Sequence, residues 1–282
     1  MAYVKFKSPA KLNLFLNVVG RKPDGYHNLQ SIFTFVDLHD ELFFQIEKNG
    51  LRKITVNNPT VHTSFFDDLI YKACEHILPK EYSIDIKVNK IIPQGGGLGG
   101  GSSNAATTLI AINQLCQLNM SQKQLADVGV SLGADIPFFI HNKNAFVEGV
   151  GEKITPINLK PMQFLICYPC VNISTKEIFG AFKLTNKSKE LKITALSNYD
   201  EIINTQGNDL EDYILDKNIK IKQLLNYLRR FGNAKITGTG SSCFLILKEN
   251  IDVEAVIKEL PTDTVFFKSR SLDHNVAYNS SL

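Results

Sequence analysis

No stretch constrains the fold of this chain more than residues 93–106, Pro93-Gln94-Gly95-Gly96-Gly97-Leu98-Gly99-Gly100-Gly101-Ser102-Ser103-Asn104-Ala105-Ala106. Lacking Cβ atoms, the glycines let the backbone adopt positive φ and approach a ligand closely. Successive N–H groups in such a loop make an anion-binding concavity, and a helix starting at its end adds the positive pole of its dipole. The flanks have matching periods. Upstream, Ile84, Ile86 and Val88 alternate with Asp85, Lys87 and Asn89, as in a half-buried strand. Downstream, Ala105, Leu109, Ile112, Leu115, Cys116 and Leu118 keep helical spacing, with Asn113, Gln114 and Gln117 turned outward. Strand, glycine loop, helix suits a bound phosphate; a flexible linker would not run straight into an amphipathic helix.

The commoner phosphate loops fit poorly. Gly95, Gly97 and Gly100 satisfy G-x-G-x-x-G, but a dinucleotide site also needs an acidic residue ending the next strand, about 20 residues on. Here a second helix follows, opened by a capping box of Ser121 and Gln124 and carrying Leu125, Val128 and Leu132 on one face. A nicotinamide-dependent oxidoreductase would also leave Lys11 and Asp135 without a role. No Gly-Lys-Ser or Gly-Lys-Thr completes a Walker loop, and His-Arg-Asp and Asp-Phe-Gly are absent.

Other residues read two ways on their own. Lys11 to Val19 forms a strand with Leu12, Leu14, Leu16 and Val18 on one face, so Lys11 and Asn13 project together from the other. That pair suits either a solvated face or a positioning device. Asp135, ahead of Ile136-Pro137, suits a helix N-cap. Gly238-Thr239-Gly240-Ser241-Ser242 lies between two apolar stretches and suits a strand-to-strand turn. Tyr26-His27 follows the turn signal Asp24-Gly25.

Taken together these segments resemble the GHMP kinases. Pro93 to Ala106 is similar to that family's second motif, Ser8-Pro9-Ala10-Lys11-Leu12-Asn13-Leu14 to its first, and Ile236-Thr237-Gly238-Thr239-Gly240-Ser241-Ser242 to its third. Gly25-Tyr26-His27-Asn28-Leu29-Gln30 and Gly133-Ala134-Asp135-Ile136-Pro137 resemble the branch whose acceptor is diphosphocytidyl-methylerythritol, in the mevalonate-independent route to isoprenoid precursors. The resemblance implies ATP-dependent phosphorylation of the acceptor's 2-hydroxyl, with Lys11 and Asp135 catalytic. It implies ATP binding by Pro93, Gln94, Gly95, Gly96, Gly97, Leu98, Gly99, Gly100, Gly101, Ser102 and Ser103, with Gly238, Thr239 and Gly240 near the phosphate. Asn13, Tyr26, His27 and Phe179 become the substrate-side residues, although Phe179 also suits a core position. Mg²⁺ is expected with ATP; Ser102 or Ser103 offers a hydroxyl, and the metal ligands otherwise stay open. A kinase of another acceptor, homoserine or mevalonate, would share the glycine loop, and a non-catalytic nucleotide-binding protein would not need Lys11 and Asp135.

The fold implied is α+β in two halves with the active site in the cleft between them. The N-terminal half, 1–160, mixes strands and helices, with Leu42–Glu47 and Leu51–Val56 flanking Asn49-Gly50 as a hairpin. The C-terminal half, 161–282, reads strand (162–168), helix (174–183), helix (219–231), strand (234–238), strand (243–248), helix (252–260), strand (264–268). That order suits a ferredoxin-like layer. The polar stretch 183–207 reads as a peripheral insertion. A balance of 31 basic and 28 acidic residues gives only +3, with Arg229, Arg230 and Lys217, Lys220 and Lys222 on a solvated helix face. Nothing there calls for nucleic acid as a partner. No apolar run approaches the roughly 20 residues of a membrane span. Cys167-x-x-Cys170 has no second pair to make a zinc site and reads as buried core. With the first motif so near the start, a bacterial-type cytoplasmic enzyme is expected, acting as a monomer or weak homodimer.

Overall fold

The computed structural model describes residues 2–59, 65–182, 190–191 and 198–279. Its spine is a long antiparallel hairpin of β1 (Val4–Arg21) and β2 (His27–Lys48), closed by a turn in which Lys22 N–H donates to the Tyr26 carbonyl. Register shifts at Pro9/Ala10 and between Asn13 and Leu16 interrupt strict alternation, and β1 is buried continuously from Ser8 to Val18. Leu12 and Leu14 pack with Phe146, Phe164 and Phe244, while Leu16 and Val18 pack with Leu165 and Leu224. A strand covered on both sides tolerates polar side chains only where they find partners, so Lys11 and Asn13 are not on a solvated face.

On one edge β4 (Tyr82–Asn89) runs antiparallel to β2, and β3 (Lys53–Asn57) runs parallel outside β4. The Asn49-Gly50 turn therefore does not make the hairpin its sequence announces. The amides of both residues donate to the Glu81 carbonyl, and β4 takes the place beside β2. Ile84, Ile86 and Val88 of β4 join Leu42 and Phe44 under helix α1 (Leu69–Ile77), whereas β3 alternates between exposed and half-buried residues. The better apolar strand wins the inner position. At the other end β5 (Ala145–Gly149) pairs with β2, and β6 (Lys153–Pro156) with β5.

Helix α2 (Gly100–Leu115) lies over β1 and β2, with α3 (Gln122–Leu132) and α4 (Ile136–His141) beside it. Both bonds of the Ser121–Gln124 capping box form. Phe138 of α4 stacks on Phe35 at 4.3 Å between ring centroids. Buried aromatics of this kind contribute about 1.5–3 kcal/mol each.

The C-terminal half is a four-stranded antiparallel layer in the order β10 (Val265–Leu272), β7 (Gln163–Tyr168), β9 (Cys243–Leu247), β8 (Ala234–Ile236). Helices α8 (Ile219–Arg229) and α9 (Val253–Lys258) bury Leu224, Leu225, Leu228 and Val256 against it, the expected ferredoxin-like arrangement. Ser271 and Leu272 of β10 also pair with Val36 and Phe35, joining the halves in one sheet.

Three short helices precede α8: α5 (Thr175–Ala181), α6 (Tyr199–Thr205) and α7 (Glu211–Lys217). Neither α6 nor α7 is legible in the sequence, because seven residues carry too little periodicity. Residues 183–189 and 192–197 of the polar stretch lie outside the described residues. The part that follows is no peripheral insertion, since α6 buries Ile203 and Lys235 bonds its last turn. Cys167 is buried as expected, but Cys170 is exposed, past the end of β7. After β10, buried Asn275 bonds Asn142 and the Phe139 carbonyl, tying the tail to the end of α4.

Candidate active site

The glycine loop takes the conformation its composition demands. Gly95, Gly97 and Gly99 have φ of 65°, 74° and 70°, and Gly99 is the N-cap of α2. A Cβ on Gly97 would lie 2.3 Å from the Thr237 carbonyl oxygen and 2.8 Å from that of Gly240. The third motif is therefore pressed directly onto the second. Ser241 and Ser242 amides donate to the carbonyls of Gly95 (3.2 Å) and Gly96 (3.1 Å), and Tyr168 Oη donates to that of Gln94 at 3.2 Å. Strand β1 closes the third side, with Lys11 N–H donating to the Leu98 carbonyl at 3.0 Å. Ser103, at the start of α2, shares a hydrogen bond with Ser8 at 2.8 Å. Three motifs distant in sequence are thus laced together by backbone bonds.

Lys11 and Asn13 sit where the three meet. Lys11 Nζ donates to Asn13 Oδ1, lies 4.8 Å from the Phe33 ring centroid and 3.9 Å from Asp135 Oδ2. Burial pulls the Lys11 pKa down, and the Asp135 charge opposes that pull. Thr237 Oγ1 accepts from Asn13 N–H at 2.9 Å, tying β1 to the start of the third motif. A Cβ on Gly238 would come 3.1 Å from Asn13 Oδ1 and 3.5 Å from Lys11 Nζ. Asp135 occupies the N-cap position of α4, yet its side chain makes no capping bond. Half-buried, its carboxylate faces the Lys11 ammonium instead. The Asp135 charge thus offsets part of the cost of burying the Lys11 ammonium.

The other predicted residues lie beyond this centre. His27 opens β2, is 5% exposed, and stacks on Phe179 of α5 at 5.5 Å with an interplanar angle of 28°. Phe182 meets the same imidazole edge-on at 5.8 Å. Burial, with Arg21 adding, keeps the His27 pKa below its usual value. Its Nε2 is buried and, among the described residues, has no hydrogen-bond partner. Phe179 and His27 are therefore together. Tyr26 stands apart on the turn, 65% exposed, with its amide donating to Asp24 Oδ1 at 3.0 Å. The Thr175 and Thr239 hydroxyls share a hydrogen bond at 3.0 Å, linking the first turn of α5 to the third motif. Thr237, Ser241 and Ser242 were reachable from the third motif and Ser8 from the first, whereas Thr175 and Tyr168 carried no signal of their own.

Comparison with known proteins agrees with this arrangement. The model of the GHMP kinases N terminal domain matches residues 68–143, and that of the GHMP kinases C terminal region matches 190–264. A 4-diphosphocytidyl-2-C-methyl-D-erythritol kinase of Marinobacter nauticus is 40% identical over 96% of this chain and 95% of its own length. One from Colwellia psychrerythraea is 38% identical over 96% and 90%. A crystal structure of 4-(cytidine 5'-diphospho)-2C-methyl-D-erythritol kinase superposes with a TM-score of 0.78 at 26% identity, covering 95% of this chain and 99% of that one. The mevalonate kinase of Methanococcus jannaschii shares the fold at a TM-score of 0.65 and 18% identity, over 96% and 98%. By sequence along nearly its whole length, and by the three motifs its fold brings together, this chain belongs to the 4-diphosphocytidyl-2-C-methyl-D-erythritol kinases of the GHMP family.

Proposed function

We propose that this chain transfers the γ-phosphoryl group of ATP to the 2-hydroxyl of 4-diphosphocytidyl-2-C-methyl-D-erythritol, with Asp135 as base and Lys11 as its positioning cation. The products are the 2-phosphate and ADP. The observation that carries the reading is the convergence of the glycine loop and the third motif on the Lys11–Asp135 pair. Phosphoryl transfer asks the protein mainly for positioning and charge stabilisation. Asp135 accepts the hydroxyl proton as the γ-phosphoryl group arrives. Lys11, held by Asn13 and the Phe33 face, positions that carboxylate and balances charge on the transferring group. The glycine-loop amides and the start of α2 hold the nucleotide phosphates.

His27 and Phe179 suit the cytosine. The stacked pair offers a ring surface, and the imidazole Nε2, which has no partner among the described residues, can meet a polar atom of the base edge. Tyr26, exposed on its turn, serves as the second, looser stacking surface. Mg²⁺ enters with ATP; among the described residues no three His, Cys, Asp or Glu side chains converge to hold an ion. Ser103 is engaged by Ser8, which leaves the Ser102 hydroxyl for the ion. The two halves divide near residue 160, in the segment between β6 and β7. The setting is the bacterial cytoplasm and the working unit a monomer or weak homodimer, with no nucleic-acid partner. No helix of the described residues is long and apolar enough to cross a membrane.

The test is ADP release from ATP–Mg²⁺ with the diphosphocytidyl acceptor, homoserine and mevalonate in parallel. Turnover is expected only with the first, and Asp135→Asn lowers kcat by roughly 10²–10⁴ while ATP still binds. Near wild-type turnover in that variant would remove Asp135 from the chemistry. Turnover with another alcohol would discard the substrate reading of His27 and Phe179.

A further inference from the structure

Between α6 and α7 the chain runs beside β1. Leu16 N–H donates to the Gly207 carbonyl and Asp209 N–H to that of Leu16, each at 2.9 Å, and Val18 N–H donates to Asp209 Oδ2 at 2.7 Å. Lys235, buried on β8, fastens the same segment from behind. Its ammonium donates to the carbonyls of Leu14 (2.9 Å), Gln206 (2.7 Å) and Ile203. At the centre of this clamp is Asn208, buried, with nearly all its bonding capacity in use. Its Nδ2 donates to the carbonyls of Ile236 (3.0 Å) and Gly238 (2.7 Å), and its Oδ1 accepts from Leu210 N–H at 3.0 Å.

The Gly238 carbonyl belongs to the peptide that enters Thr239. That peptide is trans, so fixing the carbonyl toward Asn208 sends the Thr239 N–H the opposite way. Among the described residues no protein acceptor meets that N–H. Gly238 itself borders the Lys11 ammonium and Asn13. A glycine with φ of 58°, next to Thr239 and Gly240, would otherwise turn freely enough to lose that direction.

We propose that Asn208 is a positioning residue for phosphoryl transfer, holding the Gly238–Thr239 peptide so that the Thr239 N–H is presented to the γ-phosphate of the nucleotide. This rests on reading the cleft as the ATP site, but not on the identity of the acceptor. The role differs from general support of the fold, because it concerns only the terminal phosphate.

The experiment compares the affinity of the full chain for a non-hydrolysable β,γ-imido ATP analogue with that for ADP, each with Mg²⁺. In Asn208→Ala the analogue should bind about tenfold more weakly while ADP stays within twofold, the scale of one hydrogen bond to a charged group. Asn208→Ser, which keeps a donor, should recover part of the preference, and it carries the comparison if the alanine variant does not fold. The kcat should fall with the KM for the acceptor unchanged. An equal fall for analogue and ADP, or no fall for either, would reduce Asn208 to a structural residue. Nucleotide binding of the expected pattern with no turnover of any acceptor would leave this role standing and overturn the acceptor reading.

Discussion

The two ends of the proposed site are built from different materials. At the glycine-loop end the contacts are backbone against backbone: Leu98 to Lys11, Gly95 to Ser241, Gly96 to Ser242. At the His27 end they are side chain against side chain, with Phe179 and Phe182 around an imidazole whose Nε2 has no partner among the described residues. A backbone-built surface has no slack for an added atom, because its carbonyls are pressed against the neighbouring loop. A side-chain-built surface can lose one member and keep its shape, so substitutions there should act on one ligand and leave the rest of the protein alone.

The sharpest break of this comparison is Gly97→Ala. Its Cβ would enter the space of two carbonyl oxygens, and its φ of 74° is one that L-residues seldom adopt. Strain and clash together should cost about 2–4 kcal/mol of stability. ATP affinity should fall by more than about 100-fold, roughly 3 kcal/mol. Gly180→Ala is the control, since nothing lies within 4 Å of its added Cβ. Denaturant melts and nucleotide titration of both variants decide the matter, and unchanged ATP affinity in Gly97→Ala would mean that the two loops separate easily.

Lys235 offers a second handle on the glycine-loop end, through pH. Burial, with Arg229 adding and Glu211 opposing, brings its pKa down from 10.5 to about 8. Between those values the unfolded chain holds a proton that the folded chain has lost, so stability rises with pH across that window. Wild type should therefore gain on Lys235→Met by up to roughly 3 kcal/mol between pH 8 and 10.5, at about 1.4 kcal/mol per pKa unit. Urea melts of both proteins at pH 7.5 and pH 10 measure the gap. A gap that stays constant would show that the folded protein keeps this ammonium charged.

The same contrast explains what could be read in advance. A backbone-built phosphate site needs glycines at fixed places, and those leave a visible string; the capping box at Ser121 and the alternation of β4 are equally local. Asn208 and Lys235 work by reaching carbonyls on other elements, and a single asparagine in a polar stretch does not announce that. Asp135 was ambiguous for a related reason. The N-cap position was legible, but whether the carboxylate bonds its own helix or faces Lys11 depends on a strand more than a hundred residues away. The Asn49-Gly50 turn misled because local turn chemistry does not say which strand wins the inner place. There the apolar content of β4 decided.

The smallest expected effects lie at the His27 end, and their ranking tests whether burial or exposure sets a residue's weight there. His27→Ala removes a buried ring stacked on Phe179 together with its Nε2, so the KM for the diphosphocytidyl acceptor should rise about 30-fold, with ATP affinity unchanged. That corresponds to about 2 kcal/mol, in the range of one stacking contact plus a hydrogen bond. Because burial and Arg21 already disfavour the charged imidazole, acidification should weaken acceptor binding in wild type and not in the variant, protonation adding a charge beside Arg21. Tyr26→Ala, at a residue two-thirds exposed on a turn its backbone already fixes, should raise the acceptor KM only about three- to fivefold, since a solvent-exposed aromatic contact is worth roughly 1 kcal/mol. Acceptor titrations at fixed saturating ATP separate the two. If Tyr26→Ala proved the more damaging, the turn would have to close over the bound base, and the weight would lie with the exposed ring rather than the buried one.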